Sequence, residues 1–292
     1  MKVYVTGASG FIGAHVAREL RERGAEVRED FVDLLDSAGL ERAIAGCDAV
    51  FHVAALYSFE DPAELLERVN VEGTRRVLEA CARKGVRRIV HTSSSGTCGP
   101  VPGRPATEED RPPAWELDVP YKRTKLAAER VALAAARDGL DVVVVNPTTP
   151  VGEGDWRPTP TGRMVAGVAT GRFRAYLDIG LNVVDVRDVA RGHVLALEQG
   201  KAGERYILGA VDLPLRELFG AIADLAGRSR PRIRVPYGVA WSAARMGLLN
   251  RNEVLLARLP AYFSSEKAER ELGYRPGPIE PALARAVREA LG

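Results

Sequence analysis

Apolar positions along the chain switch between two spacings. Residues 2 to 6 (KVYVT) form a short β-rich run, and 11 to 23 carry Phe11, Ile12, Val16, Ala17 and Leu20 at helical spacing, so the chain opens as strand, turn and helix. A strand near 25 to 32, a short helix near 38 to 45, a strand at 48 to 53, a helix at 62 to 84 and a strand at 87 to 92 continue the alternation. Residues 96 to 119 hold several Pro and Gly and read as loop. A long helix rich in Ala, Leu and Lys is expected at 120 to 138. It is followed by LDVVVVN (140 to 146), the unbroken apolar run of a parallel strand covered on both faces. Strands alternating with helices in this way predict an α/β fold with a doubly wound parallel sheet.

Past Pro147 the texture changes to NPTTPVGEGDWRPTPTG, dense in Pro, Gly and Thr, and the main domain boundary is expected there. Residues 1–150 together with 181–200, a β run LNVVDV and a helix from near Arg187, make the larger domain. Residues 151–180 and 201–292, ending in a helix near 278 to 291, make a smaller α/β substrate domain. No internal repeat or low-complexity tract is present.

Composition narrows the function classes. The 292 residues are 46% apolar and 27% charged, with a net charge of +2, which describes a globular chain with a sizeable core and argues against nucleic acid as a main partner. Basic groups such as Arg87 and Arg88 or Arg230, Arg232 and Arg234 read as solvated surface. Three cysteines, Cys47, Cys81 and Cys98, lack metal-ligand spacing, so neither a disulfide framework nor a metal site is expected. The chain enters its first strand at once and no apolar run approaches the roughly 20 residues that span a bilayer, so a cytoplasmic protein without a membrane segment is expected.

Two constellations carry chemistry. TGASGFIG places Gly7, Gly10 and Gly13 between strand and helix, where they permit a tight turn, close approach of a pyrophosphate and close helix packing, and the helix N-terminus offers free N–H groups. Tyr121 and Lys125 lie four apart on one helix face, where an ammonium would lower the tyrosine pKa toward that of a general acid or base. Ser94 follows the strand RRIVHT, at the carboxyl end where parallel sheets collect ligands, and its hydroxyl could bind the same substrate oxygen.

With these elements the chain resembles the extended short-chain dehydrogenases/reductases, the NAD-dependent epimerase/dehydratase family. TGASGFIG, CDAVFHVAAL (47 to 56), NVEGT (70 to 74), HTSS and YKRTK are similar, in order, to that family's motifs. The resemblance implies a Rossmann-type domain, NAD or NADP as cofactor, and Ser94, Tyr121 and Lys125 as the catalytic set. It implies cofactor contacts from Gly7, Ser9, Gly10, Phe11, Ile12, Gly13, Ala54, Ala55, Tyr121, Lys125 and Pro147, with Asn146 and Ser94 facing the substrate. Tyr121 would move the proton, Lys125 would hold the nicotinamide ribose, and Ser94 would orient the oxygen. A homodimer built on the face Ala127, Ala128, Val131 and Ala135 is a further expectation.

Two departures from the family pattern stand out. Only Arg28, Glu29 and Asp30 separate AEV (25 to 27) from FVDLLD (31 to 36), too few for a parallel crossover, so the sheet should be shortened here by one helix and one strand. Glu29 and Asp30 are candidates for the adenine ribose. Asp33 and Leu34 match the family's adenine-contacting pair, cofactor affinity should be weakened, and the choice of NAD or NADP stays open. Leu181 stands where many sugar-nucleotide enzymes carry an arginine, with Arg157, Arg163, Arg172 or Arg174 as substitutes; Arg163 is the one assigned to substrate. NPTTPVGEGDWRPTPTGRM resembles a subgroup of hopanoid-associated sugar epimerases, and NPT is similar to dihydroflavonol reductase-like enzymes.

The expected activity is hydride transfer at a secondary alcohol or ketone of a small molecule, with sugar-nucleotide epimerisation first, NADPH-dependent carbonyl reduction second and a non-catalytic nucleotide-sensing or scaffold role third. His52, Asp185 and Asp188 are expected to support the fold. Cys98 has no basic partner in sequence, and Trp115 and Trp156 are divided between substrate contact and loop packing.

Overall fold

A computed structural model describes residues 1–292. The chain runs β1 (Lys2–Thr6), α1 (Phe11–Glu22), β2 (Glu26–Arg28), α2 (Ser37–Ile44), β3 (Ala49–His52), α3 (Ala63–Leu66), a wide π-type turn (Glu67–Glu72), α4 (Gly73–Lys84) and β4 (Arg88–Thr92). After two single turns of 3-10 helix (Ser95–Thr97 and Ala114–Asp118) come α5 (Pro120–Arg137), β5 (Val142–Pro147), β6 (Thr149–Val151), α6 (Pro160–Ala169), β7 (Ala175–Leu177), β8 (Gly180–Asp185) and α7 (Val186–Gln199). The rest is β9 (Arg205–Leu208), β10 (Val211–Pro214), α8 (Leu215–Leu225), β11 (Ile233–Val235), α9 (Tyr237–Arg245), α10 (Arg251–Leu256), α11 (Glu266–Leu272) and α12 (Glu280–Leu291).

Six strands form one parallel sheet in the order β2-β1-β3-β4-β5-β9. Alternate residues feed a core on each face: Val3, Val5, Val90, Val143 and Val145 meet α1, α7 and α11, while Tyr4, Ile89, Val142 and Val144 meet α2 and α4. Burial on both faces is why these strands read as continuous valine runs rather than alternating ones. A smaller sheet, β10-β8-β6, packs Val151 and Val183 against Val165, Leu218, Phe219 and Leu283 of α6, α8 and α12, and β11 pairs with β7.

The expected shortening is present. β2 is the sheet edge, and no strand lies beyond it. The strand expected over 25 to 32 is only three residues long, because the Tyr4 hydroxyl donates to the Asp30 carbonyl at 3.1 Å and Phe31 turns out to solvent, 91% exposed. The chain then runs through 29–36 directly into α2, whose first turn Asp36 caps by accepting from Gly39 N–H at 2.9 Å.

LNVVD (181–185) lies in β8, which pairs with β6 and β10 rather than with the main sheet, whereas the α7 that follows packs on α1. β9, expected beyond the boundary at 201, pairs with β5 and completes the main sheet. In α5, Ala128 is buried within the monomer, so it is spent on the protein's own core rather than on a dimer face.

Candidate active site

The glycine loop is as tight as its composition requires. Gly7 has φ +69°, and a Cβ there would lie 2.8 Å from Ala54 Cα; a Cβ on Gly13 would lie 2.0 Å from the Gly7 carbonyl oxygen. Gly10 N–H donates to Gly7 O at 2.9 Å, and α1 then starts with no side-chain cap and no acid in its first turn. Gly7, Ser9 and Gly10 are exposed, Phe11 and Ile12 half-buried. The cradle therefore presents unpaired N–H groups and a helix dipole to an anion, which fits a dinucleotide pyrophosphate.

Ala54 faces this loop, and Ala55 beside it is exposed. Asp33 is exposed and accepts from Leu35 N–H at 2.9 Å. Leu34 turns its side chain into the core against Gly73, so any adenine contact there falls to its main chain. Arg28 is tied to the carbonyls of Ala43 and Ala45 at 3.2 and 3.0 Å.

Tyr121 and Lys125 share a face of α5, which Pro120 starts at its first position. The expected lowering of the tyrosine pKa does not hold in the chain itself. Burial and then Tyr57 push the Tyr121 phenol far up, and only the nearby Ser94 hydroxyl favours its ionised form. The ammonium is engaged elsewhere: Lys125 is 4% exposed and Nζ donates to the Thr92 carbonyl at 2.8 Å. Burial brings Lys125 down to about 8, with Glu129 acting against that shift. Thr92 is held from the other side by α7, where its hydroxyl meets His193 Nε2 at 2.9 Å and His193 Nδ1 donates to the Val189 carbonyl at 2.8 Å.

A buried polar chain joins the glycine loop to α5. Thr6 Oγ1 accepts from the N–H groups of Val53 and Ala54, both at 3.1 Å, and so donates to His52 Nδ1 at 3.0 Å. His52 Nε2 meets Thr74 Oγ1 at 3.0 Å, and Thr74 donates to the Asn70 carbonyl at 2.6 Å, which makes His52 the Nε2–H tautomer. Asn70 sits in the wide turn, accepts from Leu56 N–H at 2.7 Å and donates to Thr124 Oγ1 at 3.2 Å; Thr124 in turn donates to the Tyr121 carbonyl at 3.0 Å. His52 thus has the supporting place expected of it, and burial with Lys125 nearby lowers its pKa to about 3.

A second network went unread in the sequence. Glu129, 1% exposed and one further helical step along from Tyr121 and Lys125, accepts from Ser93 and Thr97 hydroxyls at 2.6 Å, from Asn146 Nδ2 at 2.7 Å and from Arg205 Nη1 at 2.8 Å. The continued four-residue spacing was its only signal. Asn146 is a correction: it is fully buried, and its amide donates to Glu129, Thr97 and the Ser94 carbonyl, so it positions the Ser94 loop rather than facing substrate. Pro147 ends β5 buried opposite Leu208.

Aromatic rings cover the tyrosine. The Tyr57 ring lies 4.6 Å from that of Tyr121, and Phe59 meets Tyr121 edge-on at 5.8 Å. Asn252 of α10 pins this loop by donating to the Phe59 carbonyl at 2.9 Å. Arg163 is half-exposed, donates to the Pro158 carbonyl at 3.1 Å and lies 3.9 Å from Glu253, at the margin of this cover. Arg258 lies 5.3 Å over the Trp115 ring, and Trp156, largely exposed, edges a cavity shared with Phe11 and α12. Cys98 is buried with its thiol pushed up to about 12, which removes it as a nucleophile.

The chain is similar to known proteins over most of its length. Residues 3–209 match the model of the NAD dependent epimerase/dehydratase family. The chain is 37% identical to the "Putative dihydroflavonol 4-reductase" of Synechocystis sp., over 97% of this chain and 93% of that protein. It is 32% identical to sterol demethylase protein B of Methylococcus capsulatus, over 98% and 97%. Among solved structures, a nucleoside-diphosphate-sugar epimerase from Pseudomonas aeruginosa superposes with a TM-score of 0.85 at 29% identity, covering 99% of this chain and 97% of that one.

Proposed function

From the premise that the chain belongs to the NAD-dependent epimerase/dehydratase family and is an NAD(P)-dependent enzyme, we propose that it catalyses net reduction or oxidation at a secondary carbinol carbon borne by an apolar ring system. The observation that carries this reading is the aromatic cover on the base: Tyr57 and Phe59 offer ring faces and edges where a hydroxyl-rich sugar would need hydrogen-bond partners. Leu181 in place of a diphosphate-gripping arginine points the same way. The relatives named for a dihydroflavonol reductase and a sterol-processing protein have polycyclic substrates in their names. On sequence alone sugar-nucleotide epimerisation stands ahead of reduction; the aromatic cover supports the opposite order.

The glycine loop from Gly7 to Gly13 would hold a nicotinamide dinucleotide by its pyrophosphate, and that cofactor would supply or accept the hydride when bound. In the reductive direction the Tyr121 phenol, kept protonated by burial, donates its proton to the carbonyl oxygen as that oxygen gains charge. Ser94 holds the same oxygen from the β4 side, with its loop fixed by Asn146 and Glu129. Lys125, charged below about pH 8, places a positive charge beneath the site. The test is a steady-state screen with NADPH and NADH separately, against planar polycyclic ketones and against nucleotide sugars. Tyr57→Ala is expected to raise KM for the ring ketones about tenfold with kcat retained. Turnover of nucleotide sugars with tightly retained NAD, unaffected by Tyr57→Ala, would overturn the reading.

A further inference from the structure

We propose that the α9–α10 hairpin is a peripheral docking surface that lays its tip into the headgroup region of an anionic lipid bilayer. The tip is the loop Met246-Gly247-Leu248-Leu249, every residue of it exposed, with Met246 at 70% and Leu248 at 71%. Val239, one seven-residue repeat before Met246, extends the same outer side of α9 and is 59% exposed. The inner side is already used: Ala240, Ala244 and Val254 are buried together, against Tyr237 and Trp241. Met246 and Leu248 therefore leave most of their apolar surface to solvent, and Leu249 about half.

Charge identifies the occupant. Residues 228–258 hold seven arginines and a single acid, Glu253, for a net +6; with the whole chain at +2, the rest of the molecule is net −4. Arg230 pairs with Asp224, and Arg234 with Asp178 at 2.5 Å. No carboxylate lies within ion-pair distance of Arg228, Arg232, Arg245, Arg251 or Arg258, and Arg251 rests 5.8 Å over the Trp241 ring. Near-neutral composition concealed this, because the excess is local. A duplex nucleic acid would satisfy the guanidiniums but offers no apolar phase for Leu248 and Leu249. A second copy of this face would bring the unpaired Arg245 and Arg251 against like charge. An anionic bilayer answers both, taking the side chains about 5–10 Å deep while lipid phosphates meet the arginines. Such a surface lies on a membrane; no helix here is long and apolar enough to cross one.

Co-sedimentation of the full chain with phosphatidylcholine vesicles, with and without phosphatidylglycerol, tests the assignment. Binding is expected only with the anionic lipid and should weaken with salt. The double substitution Leu248→Glu and Leu249→Glu should lower it at least about tenfold, and Arg245→Glu a few-fold, at unchanged melting temperature. Brominated acyl chains should quench the tryptophan fluorescence of the unmodified protein, Trp241 being the nearest ring. No binding, no quenching, binding that the leucine variant keeps, or a concentration-dependent dimer that the leucine variant abolishes would each overturn the proposal.

Discussion

Tyr121 and Lys125 are coupled less directly than their spacing suggests. The phenol is raised by burial and by Tyr57, while the ammonium points down to the Thr92 carbonyl, so the proton on Tyr121 is the resource the free chain holds ready. Tyr121→Phe is expected to lower kcat/KM by about 10²–10⁴ with cofactor Kd unchanged, by stopped-flow and fluorescence titration. Lys125 bears on pH. Its folded pKa, about 8, is below the ordinary 10.5, so burying the charge costs stability below pH 8 and that cost is relieved as pH rises from 8 to 10.5. Reductive kcat/KM should therefore be level below pH 8 and fall above it, and Lys125→Met should lose activity while melting at or above the wild-type temperature at pH 7. A profile level through pH 9.5 would remove Lys125's charge from the mechanism.

At the scale of elements, α5 is one inward face with three polar steps, Tyr121, Lys125 and Glu129. The first two were legible because a pair on a helix is visible in a single run of sequence. Glu129 was not, because its partners arrive from the end of β4, the turn after it, β5 and β9, and only the sheet order brings them to one carboxylate. Asn146 was misread for the same reason: the resemblance located it at a strand end but not which way its amide turned. The shortening of the sheet was legible, since three residues cannot carry a crossover, but the length of β2 depended on the Tyr4 to Asp30 bond across 26 positions. Glu129→Gln leaves the Arg205 charge buried without its partner, and urea unfolding should show a loss of about 3 kcal/mol. Cofactor binding in the folded variant should survive, because the glycine loop is not among its contacts.

Across the whole molecule, Glu153 joins parts that are far apart in sequence. It bonds Arg187 at 2.8 Å and Arg285 at 2.5 Å and lies 3.5 Å from His15 of α1, so α1, α7 and α12 meet on one carboxylate. Burial works against that charge, but a backbone N–H and the guanidiniums of Arg187 and Arg285 prevail and hold its pKa at about 2. Because the folded value is below the ordinary 4.5, the stabilisation is complete above pH 4.5 and is lost as pH falls through 2. Glu153→Gln should cost about 1–2 kcal/mol at pH 7, discounted for its partial exposure, and thermal melts of variant and wild type should converge between pH 4.5 and 2.

The chain of contacts from Thr6 through His52, Thr74 and Asn70 to Thr124 also sets a timescale. The amides of Val53, Ala54 and Leu56 lie outside any strand, yet each donates to a threonine or asparagine side chain of this buried series. In deuterated solvent they should exchange as slowly as the amides of β3, through the same cooperative opening, rather than at the rate of an ordinary loop. Thr74→Val, which removes one hydroxyl well away from either ligand-facing surface, should release all three together. In the unmodified chain the wall between the glycine loop and Tyr121 behaves kinetically as core, whereas the neighbouring loop that carries Tyr57 and Phe59 is tied to α10 by the Asn252 bond alone.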